Sequence, residues 1–239
     1  MDLQALTRFD TPTICNVIEL YDVRPRNSGY MDGRIRACFR DMRPICGYAS
    51  TATIRTAFAR GEGDVYSSLD DQARAFTELP GPAIVVFQDL DDPPVAATFG
   101  EIMCATYQAF GAAGIVTSGA ARDLDQVRRL NFAAFSDGAI CSHGYSHITS
   151  VHQPVRVGGI VVRPGDLLHA DTNGVTTIPH SIAPEVAQVS EEYVAAEGVV
   201  LDFLKTGSRD VAAYSEARQE SLQRIAELGK RVRARAAMA

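Results

Sequence analysis

Two short segments of the chain combine residue types that could bind a carboxylate and a divalent metal. Gly100 and Glu101 follow a predicted strand and open a predicted helix, and Arg122 and Asp123 follow the next strand along. An arginine can pair with a carboxylate through two hydrogen bonds, and Asp and Glu are hard oxygen ligands suited to Mg²⁺ or Mn²⁺. Because the backbone N–H groups at a helix start also bind anions, the first turn of this helix belongs to the candidate site.

The elements around these segments are expected to bring them to one edge of a sheet. The apolar runs at 83–87, 95–99 and 114–117 predict buried strands, and helical patterns separate them. Ligands in such α/β sheets bind beyond the carboxyl ends of the strands, so both loops should face one crevice. Taken alone, an Arg-Asp or Gly-Glu pair is most often a helix cap, a turn or a surface ion pair, and the functional interpretation depends on the placement of both pairs after successive strands.

Patterns elsewhere extend this α/β prediction over the rest of the chain. A β-branched run predicts a strand over 46–56, and Asn173-Gly174 predicts a hairpin turn within a compact β element over 154–179. Thr11 is the predicted N-cap of the first helix, with Pro12 in its first turn. Further helices are expected over 65–79, 101–110, 122–130, 181–204 and 210–235.

A loop rich in histidine is the second candidate for chemistry. It contains His143, His147 and His152, and Cys141 lies beside the first of them. The spacing of His143 and His147 suits a metal site on a helix, but Gly144 and its polar neighbours disfavour a helix here. We favour a loop that lines the crevice, with one histidine as a hydrogen-bond donor or proton shuttle. A transition-metal site and a nucleophilic Cys141 thiol remain alternatives.

Charge and composition exclude several classes of protein. A formal net charge of −6 provides no electrostatic footprint for nucleic acid or an anionic membrane. No apolar stretch approaches the roughly 20 residues that span a bilayer. The first residues lack a basic or apolar leader, and the five scattered cysteines suit reduced thiols, so a cytoplasmic location is expected. The glycine-rich motifs of dinucleotide and P-loop sites are missing, as is the GxSxG motif of α/β-hydrolases.

Two blocks of sequence resemble the RraA-like family, which includes the 4-hydroxy-4-methyl-2-oxoglutarate/4-carboxy-4-hydroxy-2-oxoadipate aldolases. The first block is FGEIMCATYQAFGAAGIVTSGAARDLDQVRRLNFAAF, and the second is VGGIVVRPGDLLHADTNGVTTIP. The resemblance implies a three-layer swivelling β/β/α fold over residues 1–207, followed by a C-terminal helical extension over 208–239. It also implies homotrimers or homohexamers with active sites between the subunits.

The same resemblance assigns roles to individual residues. Aldolases of the family carry an acidic residue, twenty intervening residues and then Arg-Asp, which here are Glu101, Arg122 and Asp123. Asp123 is implied to hold the metal, Glu101 to help through its water shell, and Arg122 to bind the keto acid and stabilise the enolate. The remaining implied members are the backbone around Gly100, Ile102 and Met103, and a glutamate from a neighbouring subunit, matched best by Glu197 and less well by Glu192.

We therefore expect a lyase, dependent on Mg²⁺ or Mn²⁺, that cleaves or decarboxylates a 2-oxo acid through a pyruvate enolate, with a metal-bound water carrying the proton. The chain departs from the family at Ser118, where Asp is common, at Asn16, and in the histidine loop. These departures concern the substrate more than the metal. Alternatives are a non-catalytic regulatory or protein-binding module, or a metal enzyme for another carboxylate whose His143 and His147 contact the substrate.

Overall fold

Strands and helices alternate along most of the protein, whose computed structural model describes residues 2–59 and 68–236. The strands are β1 (Arg36–Ala37), β2 (Ile45–Arg55), β3 (Ala83–Asp89), β4 (Ala97–Phe99), β5 (Ala112–Thr117), β6 (Ala120–Ala121), β7 (Ala133–Ser136), β8 (His147–Val151), β9 (Val155–Val157), β10 (Ile160–Val162), β11 (Leu167–Asp171) and β12 (Gly174–Ile178). The helices are α1 (Leu3–Leu6), α2 (Thr11–Tyr21), α3 (Leu69–Ala75), α4 (Glu101–Ala109), α5 (Leu124–Arg129), α6 (Ala183–Lys205) and α7 (Val211–Ala236).

The central sheet has the strand order β1-β7-β5-β3-β2-β11-β12, with β8 also paired to β2. The four strands β2, β3, β5 and β7 run parallel to one another, whereas β1, β8, β11 and β12 pair antiparallel with their neighbours. Parallel strands need crossover connections, and the helices between these strands provide them. The predicted α/β class with C-terminal helices is confirmed.

Strand β3 is apolar from Ala83 to Phe87 because both of its faces are covered there. Val85 and Phe87 point into one apolar cluster together with Tyr107 of α4. Ile84 and Val86 point into a second cluster on the opposite face of the sheet. Successive side chains of a strand alternate between its two faces, so a stretch that is buried on both sides favours apolar residues at every position.

The short strands β4 and β6 form a separate two-stranded parallel sheet. Each follows a longer central strand along the chain, β4 after β3 and β6 directly after β5. The hydroxyl groups of Thr98 and Thr117 lie 3.0 Å apart, which ties this small sheet to the end of β5. The residues after β4 and β6 are the two candidate site segments.

Local structure corrects two expectations and confirms a third. Asp10, not Thr11, is the N-cap of α2, because its backbone is extended and its carboxylate accepts the N–H of Thr13 over 2.9 Å. The predicted helix over 65–79 is α3 followed by a 3₁₀ turn over Phe76–Glu78, and its residues 65–67 lie outside the described residues. The hairpin turn at Asn173 joins β11 to β12 as predicted.

The described chain forms two compact units. One contains residues 27–178 and holds the central sheet, and the other combines residues 1–26 with 179–239 and holds α1, α2, α6 and α7. Within the helical unit, α6 buries Val186, Val189 and Tyr193. The division of the family domain at residue 207 stays a prediction.

Candidate active site

The parallel pairing of β4 with β6 brings the two predicted site segments side by side. Phe99 pairs with Ala121 at the ends of the two strands. The backbone N–H of Arg122 then donates to the carbonyl of Phe99 over 3.0 Å. Gly100 and Arg122 therefore lie side by side where the two strands end, and α4 begins at Glu101, directly after Gly100.

The carboxylate of Asp123 lies against the start of α4. Its Oδ2 atom accepts the backbone N–H of Glu101 over 3.1 Å, and its Oδ1 atom lies 3.6 Å from a guanidinium nitrogen of Arg122. The side chains of Arg122 and Asp123 are 25% and 27% exposed, so a ligand can still reach both. Asp123 has a left-handed backbone with φ of 54°, a conformation that Asp adopts more readily than most residues.

Gly100 makes room for this cluster. A Cβ atom at residue 100 would lie 2.4 Å from Oδ2 of Asp123 and 3.1 Å from both Cγ and Nε of Arg122. These distances are too short for a side chain to be added without displacing the charged pair. The missing side chain thus lets Arg122 and Asp123 approach the helix start, where N–H groups and a partial positive charge favour anions.

The first turn of α4 supplies the other predicted members of the site. Glu101 is exposed, Ile102 is 60% exposed, and Met103 is buried in the apolar cluster, so Met103 can offer only its backbone N–H. Gly100 caps the helix without a side chain. The structure brings together Gly100, Glu101, Ile102, Met103, Arg122 and Asp123, as the sequence predicts.

Asp123 and Glu101 are the oxygen ligands that this cluster offers to a divalent metal. Within residues 2–59 and 68–236, no three His, Cys, Asp or Glu side chains are arranged to hold a metal ion. Mg²⁺ keeps several of its waters and is typically held by one or two carboxylates. The donor set therefore fits a hydrated Mg²⁺ or Mn²⁺ and does not fit a closed structural zinc site.

The histidine loop packs beside the beginning of β4, whereas Gly100 follows its end. The carbonyl of Ser142 accepts the N–H of Ala97 over 2.7 Å. The Nδ1 atoms of His143 and His147 each lie 2.8 Å from a backbone carbonyl oxygen of the same loop. No hydrogen bond or ion pair described for either histidine involves the Arg122–Asp123 cluster. Their contact with a substrate stays a prediction.

His143 and His147 do not share a helix, because His143 is in a loop and His147 is the first residue of β8. The sequence patterns did not predict this strand. His152 follows β8 with φ of 55°, and its Nδ1 atom lies 3.6 Å from a carboxylate oxygen of Glu78. The three histidines are close in sequence, but they belong to a loop, a strand and the residue after that strand. They do not form a metal-ligand set among the described residues.

The two glutamates matched to the family's inter-subunit ligand lie on α6, in the helical unit. Glu197 hydrogen-bonds the hydroxyl of Tyr193, whose pKa rises to about 12 through burial first and then through Glu197. Asn16, one of the departures from the family, lies at the same hydroxyl and lowers this pKa. Glu192 is ion-paired with Arg231 of α7. A role for Glu197 in a neighbouring subunit's site is not tested by these contacts.

The cysteines are free thiols, as predicted from their number and spacing. Burial raises the pKa values of Cys38 and Cys104, and it raises that of Cys46 to about 12. Such thiols are poor nucleophiles because the thiolate is the reactive form. Cys141 is exposed.

Sequence reasoning missed one buried acidic group, Asp89, at the carboxyl end of β3. It is 7% exposed, and burial raises its pKa to about 6. The signal was present in the sequence as the acidic run QDLDD directly after the apolar strand. Charged residues are rarely buried without a partner, so a carboxylate at this position warrants attention as a functional group.

Two curated proteins are similar to this chain in sequence. The chain matches a protein of Halalkalibacterium halodurans at 33% identity over 57% of the chain, and one of Ectopseudomonas mendocina at 29% over 44%. Both are provisionally named 4-hydroxy-4-methyl-2-oxoglutarate aldolase. The matches span 65% and 66% of those proteins' own lengths, which is less than two thirds.

Solved structures share the fold at low sequence identity. An uncharacterized protein of Pseudomonas syringae pv. tomato superposes with a TM-score of 0.69 at 22% identity, covering 91% of this chain and 92% of that one. RraAS2 of Streptomyces coelicolor, described as an unusual member of the RNase ES inhibitor RraA family, superposes with a TM-score of 0.65 at 22% identity, covering 86% and 97%.

No helix in the described part of the chain is both long and apolar enough to cross a membrane. The family model described as RraA-like, Aldolase/RraA, matches residues 11–177, which is more than half of the chain. The chain belongs to the RraA-like family.

Proposed function

We propose that the protein is a divalent-metal-dependent lyase that cleaves or decarboxylates a 2-oxo acid and releases pyruvate. The substrate we infer resembles 4-hydroxy-4-methyl-2-oxoglutarate or oxaloacetate. One observation carries the proposal: Gly100 lets Arg122, Asp123 and the first turn of α4 converge on a space that remains open to solvent. The provisional aldolase names of two relatives support the same reaction class.

Substrate binding relies on positive groups in an otherwise acidic protein. The guanidinium of Arg122 pairs with the carboxylate next to the keto group, because its planar N–H groups match the two carboxylate oxygens. The backbone N–H groups of Ile102 and Met103 complete the cradle at the helix start. This arrangement orients the keto acid with its 2-oxo group beside Asp123.

Asp123, with Glu101 through water and Glu197 of a neighbouring copy, would hold the metal. Mg²⁺ or Mn²⁺ would supply a Lewis acid that polarises the 2-oxo group. Glu197 enters through the family resemblance, which also supports a homotrimer or homohexamer with sites between subunits.

Bond cleavage places negative charge next to Arg122. In the aldol case the C4 hydroxyl loses its proton, C4 becomes the keto carbon of one pyruvate as the C3–C4 bond breaks, and the electron pair of that bond becomes the enolate of a second pyruvate. Arg122 stabilises this charge from a fixed position, which is the main source of acceleration in such reactions. The hydroxyl proton passes through a water to the Glu101 carboxylate, and the same path returns it to C3 to yield pyruvate.

A coupled assay tests the proposal directly. Purified protein is mixed with oxaloacetate or 4-hydroxy-4-methyl-2-oxoglutarate, and pyruvate is measured through lactate dehydrogenase and NADH. We expect turnover with Mg²⁺ or Mn²⁺, loss of turnover with EDTA, and recovery with excess metal. Because free metal ions decarboxylate oxaloacetate slowly, the reference is the same mixture without protein. No pyruvate above this reference, or a rate indifferent to EDTA, contradicts the proposal.

A second candidate is a non-catalytic RraA-like module that binds a protein. It is favoured by one finding, the fold shared with RraAS2 and that protein's description as a member of an RNase inhibitor family. The third reading is a related metal enzyme with another carboxylate substrate that reaches His143 or His147. Turnover of a keto acid without pyruvate release supports the metal enzyme with another substrate. No turnover of either substrate with either metal supports the non-catalytic module.

A further inference from the structure

The C-terminal part of α6 and the first turns of α7 have no buried residue. Every buried residue of α6 lies between Ala183 and Ala196. From 197 to 220, a range that the structure describes completely, each residue is at least partly exposed. The segment is nevertheless helical on both sides of the connection between the two helices. Most helical stability in proteins comes from packing an apolar face, so residues 198–218, which we call the arm, lack the cover that their helices need.

The face that α6 buries continues into the arm. Ser190 and Tyr193 are buried, and residues spaced three or four apart lie on one face of a helix. The same spacing runs on through Glu197, Leu201 and Leu204. Glu197 hydrogen-bonds the hydroxyl of Tyr193, which shows that the two halves of this face adjoin. Leu201 and Leu204 are 54% and 53% exposed, so the face is covered up to Tyr193 and open beyond Glu197.

Helix α7 adds further apolar side chains to the arm. Val211 is 75% exposed and Tyr214 is 37% exposed. The ring of Tyr214 lies 6.1 Å from that of Phe203, so the two helices pack on each other within the arm. Single exposed apolar residues are common on protein surfaces, whereas several together mark a surface for interaction. The arm has the second pattern.

The charges of the arm favour one kind of partner. The arm is neutral in a chain of net charge −6, because its acidic and basic residues are equal in number. These are Asp202, Asp210 and Glu216 against Lys205, Arg209 and Arg218. The exposed carboxylate of Asp202 is paired with Lys205 within α6. A neutral surface does not attract a polyanion or a strongly basic protein, and two copies of an acidic chain repel each other least where both are neutral.

We propose that the arm is an interface between copies of this chain, in which Leu201, Leu204 and Val211 pack against a second copy. Burying these side chains removes apolar surface from water and supplies the packing that the helices of the arm lack. Homo-oligomers are mostly closed and symmetric, so each copy both offers its arm and covers another. Glu197, which the proposed function places at a neighbouring copy's metal, lies one turn before Leu201, but the inference about the apolar surface does not depend on that role.

Sedimentation velocity of the full chain over a range of protein concentrations tests the proposal without substrate or metal, so the result is independent of the proposed lyase. We expect the parent to assemble. Leu204→Glu should raise the dissociation constant of the assembly at least about tenfold, because a carboxylate would be buried in place of an apolar side chain. Ala195→Glu adds the same charge at an exposed position of α6 outside this face and should assemble like the parent. A monomeric parent, or equal assembly of both variants, overturns the proposal.

A photo-cross-linker shows what covers the arm even if Leu204→Glu fails to fold. The amino acid p-benzoylphenylalanine replaces Leu204 in one protein and Ala195 in another, and each purified full chain is irradiated. We expect a covalent dimer of the chain from position 204 and little or none from position 195. No dimer from position 204, or equal yields from the two positions, contradicts the interface. If position 204 captures only a different protein from a cell extract, the partner is not a second copy and the proposal is wrong.

Discussion

Asp123 and Asp89 are both carboxylates at the edge of a parallel sheet, but their surroundings differ. Asp123 is 27% exposed, accepts the N–H of Glu101 and lies beside Arg122. Asp89 is almost fully buried, and one of its oxygens has no hydrogen-bond partner in the described part of the chain. The first carboxylate contacts groups that can also bind a substrate, whereas one oxygen of the second lacks a hydrogen-bond donor.

This difference separates two kinds of functional acid. A carboxylate that is partly open to water can hold a hydrated metal, because the metal and its waters can reach the carboxylate oxygens. A carboxylate that is buried and unpaired carries a raised pKa, and a bound cation would lower it again. The predictions that follow test whether the two acids belong to separate sites.

The largest effect is expected from removing the charged pair itself. Arg122→Ala and Asp123→Ala should each lower kcat/KM for pyruvate release by at least about 10²-fold, as for other groups that stabilise developing charge. Arg128→Ala, an exposed arginine of α5 paired with Asp41, is the matched control and should keep parental activity. Circular dichroism establishes that each variant is folded. Full activity in either site variant would place the chemistry elsewhere.

Crowding the Arg122–Asp123 pair should lower kcat/KM less than removing either member of it. Gly100→Ala introduces a Cβ 2.4 Å from Oδ2 of Asp123, so the carboxylate must move, and kcat/KM should fall about tenfold to 10²-fold. Gly33→Ala is the control, because a Cβ there meets no atom within 4 Å. If both alanine variants behave alike, the close approach of Asp123 to residue 100 has no bearing on catalysis.

Substitutions in the histidine loop should lower kcat/KM less than substitutions at Gly100 or at the Arg122–Asp123 pair. His143→Ala and His147→Ala are expected to raise KM about threefold to tenfold and to leave kcat nearly unchanged, as for groups that bind ground state and transition state alike. Steady-state kinetics over a range of substrate concentrations separate the two parameters. A large fall in kcat would instead make one of these histidines a proton carrier at the reacting atoms.

Asp89 should affect stability rather than turnover. Its folded-state pKa of about 6 lies above the ordinary value of 3.8, so the unfolded chain releases this proton first. Stability is therefore lost as the pH rises between those values, by up to about 3 kcal/mol.

Asp89→Asn should escape this loss. In urea unfolding it should gain stability relative to the parent on going from pH 4.5 to pH 8, while Asp202→Asn should show no such gain. If the free energy of unfolding depends on pH in the same way for Asp89→Asn and the parent, Asp89 ionises as readily in the folded protein as in the unfolded chain.

The segments around Arg122 and Asp123 could be predicted from the sequence because their signals are local. The apolar run of β3 and the small residues before Gly100 identify buried strands, and parallel strands present their carboxyl ends at one edge. Since Arg122-Asp123 and Gly100 each follow such a strand, their proximity follows from the topology. The structure adds the separate sheet of β4 and β6, which aligns the two segments.

Other features depend on contacts that are distant in sequence. Strand β8 pairs with the second half of β2, and nothing in its own residues indicates that partner. Asp89 was overlooked because its unpaired oxygen results from where Gly119 and Ser118 pack. The cap of α2 was misplaced by one residue because Asp10 and Thr11 are both suitable cap types, and only the backbone conformation distinguishes them.

The most direct test of the central claim is a crystal structure of the protein with Mn²⁺ and oxalate, a stable mimic of the pyruvate enolate. We expect the oxalate carboxylates beside the Arg122 guanidinium and the first turn of α4, with the metal on the Asp123 carboxylate. Oxalate and Mn²⁺ bound instead at the histidine loop or beside Asp89, with the Arg122–Asp123 cluster empty, would contradict the account.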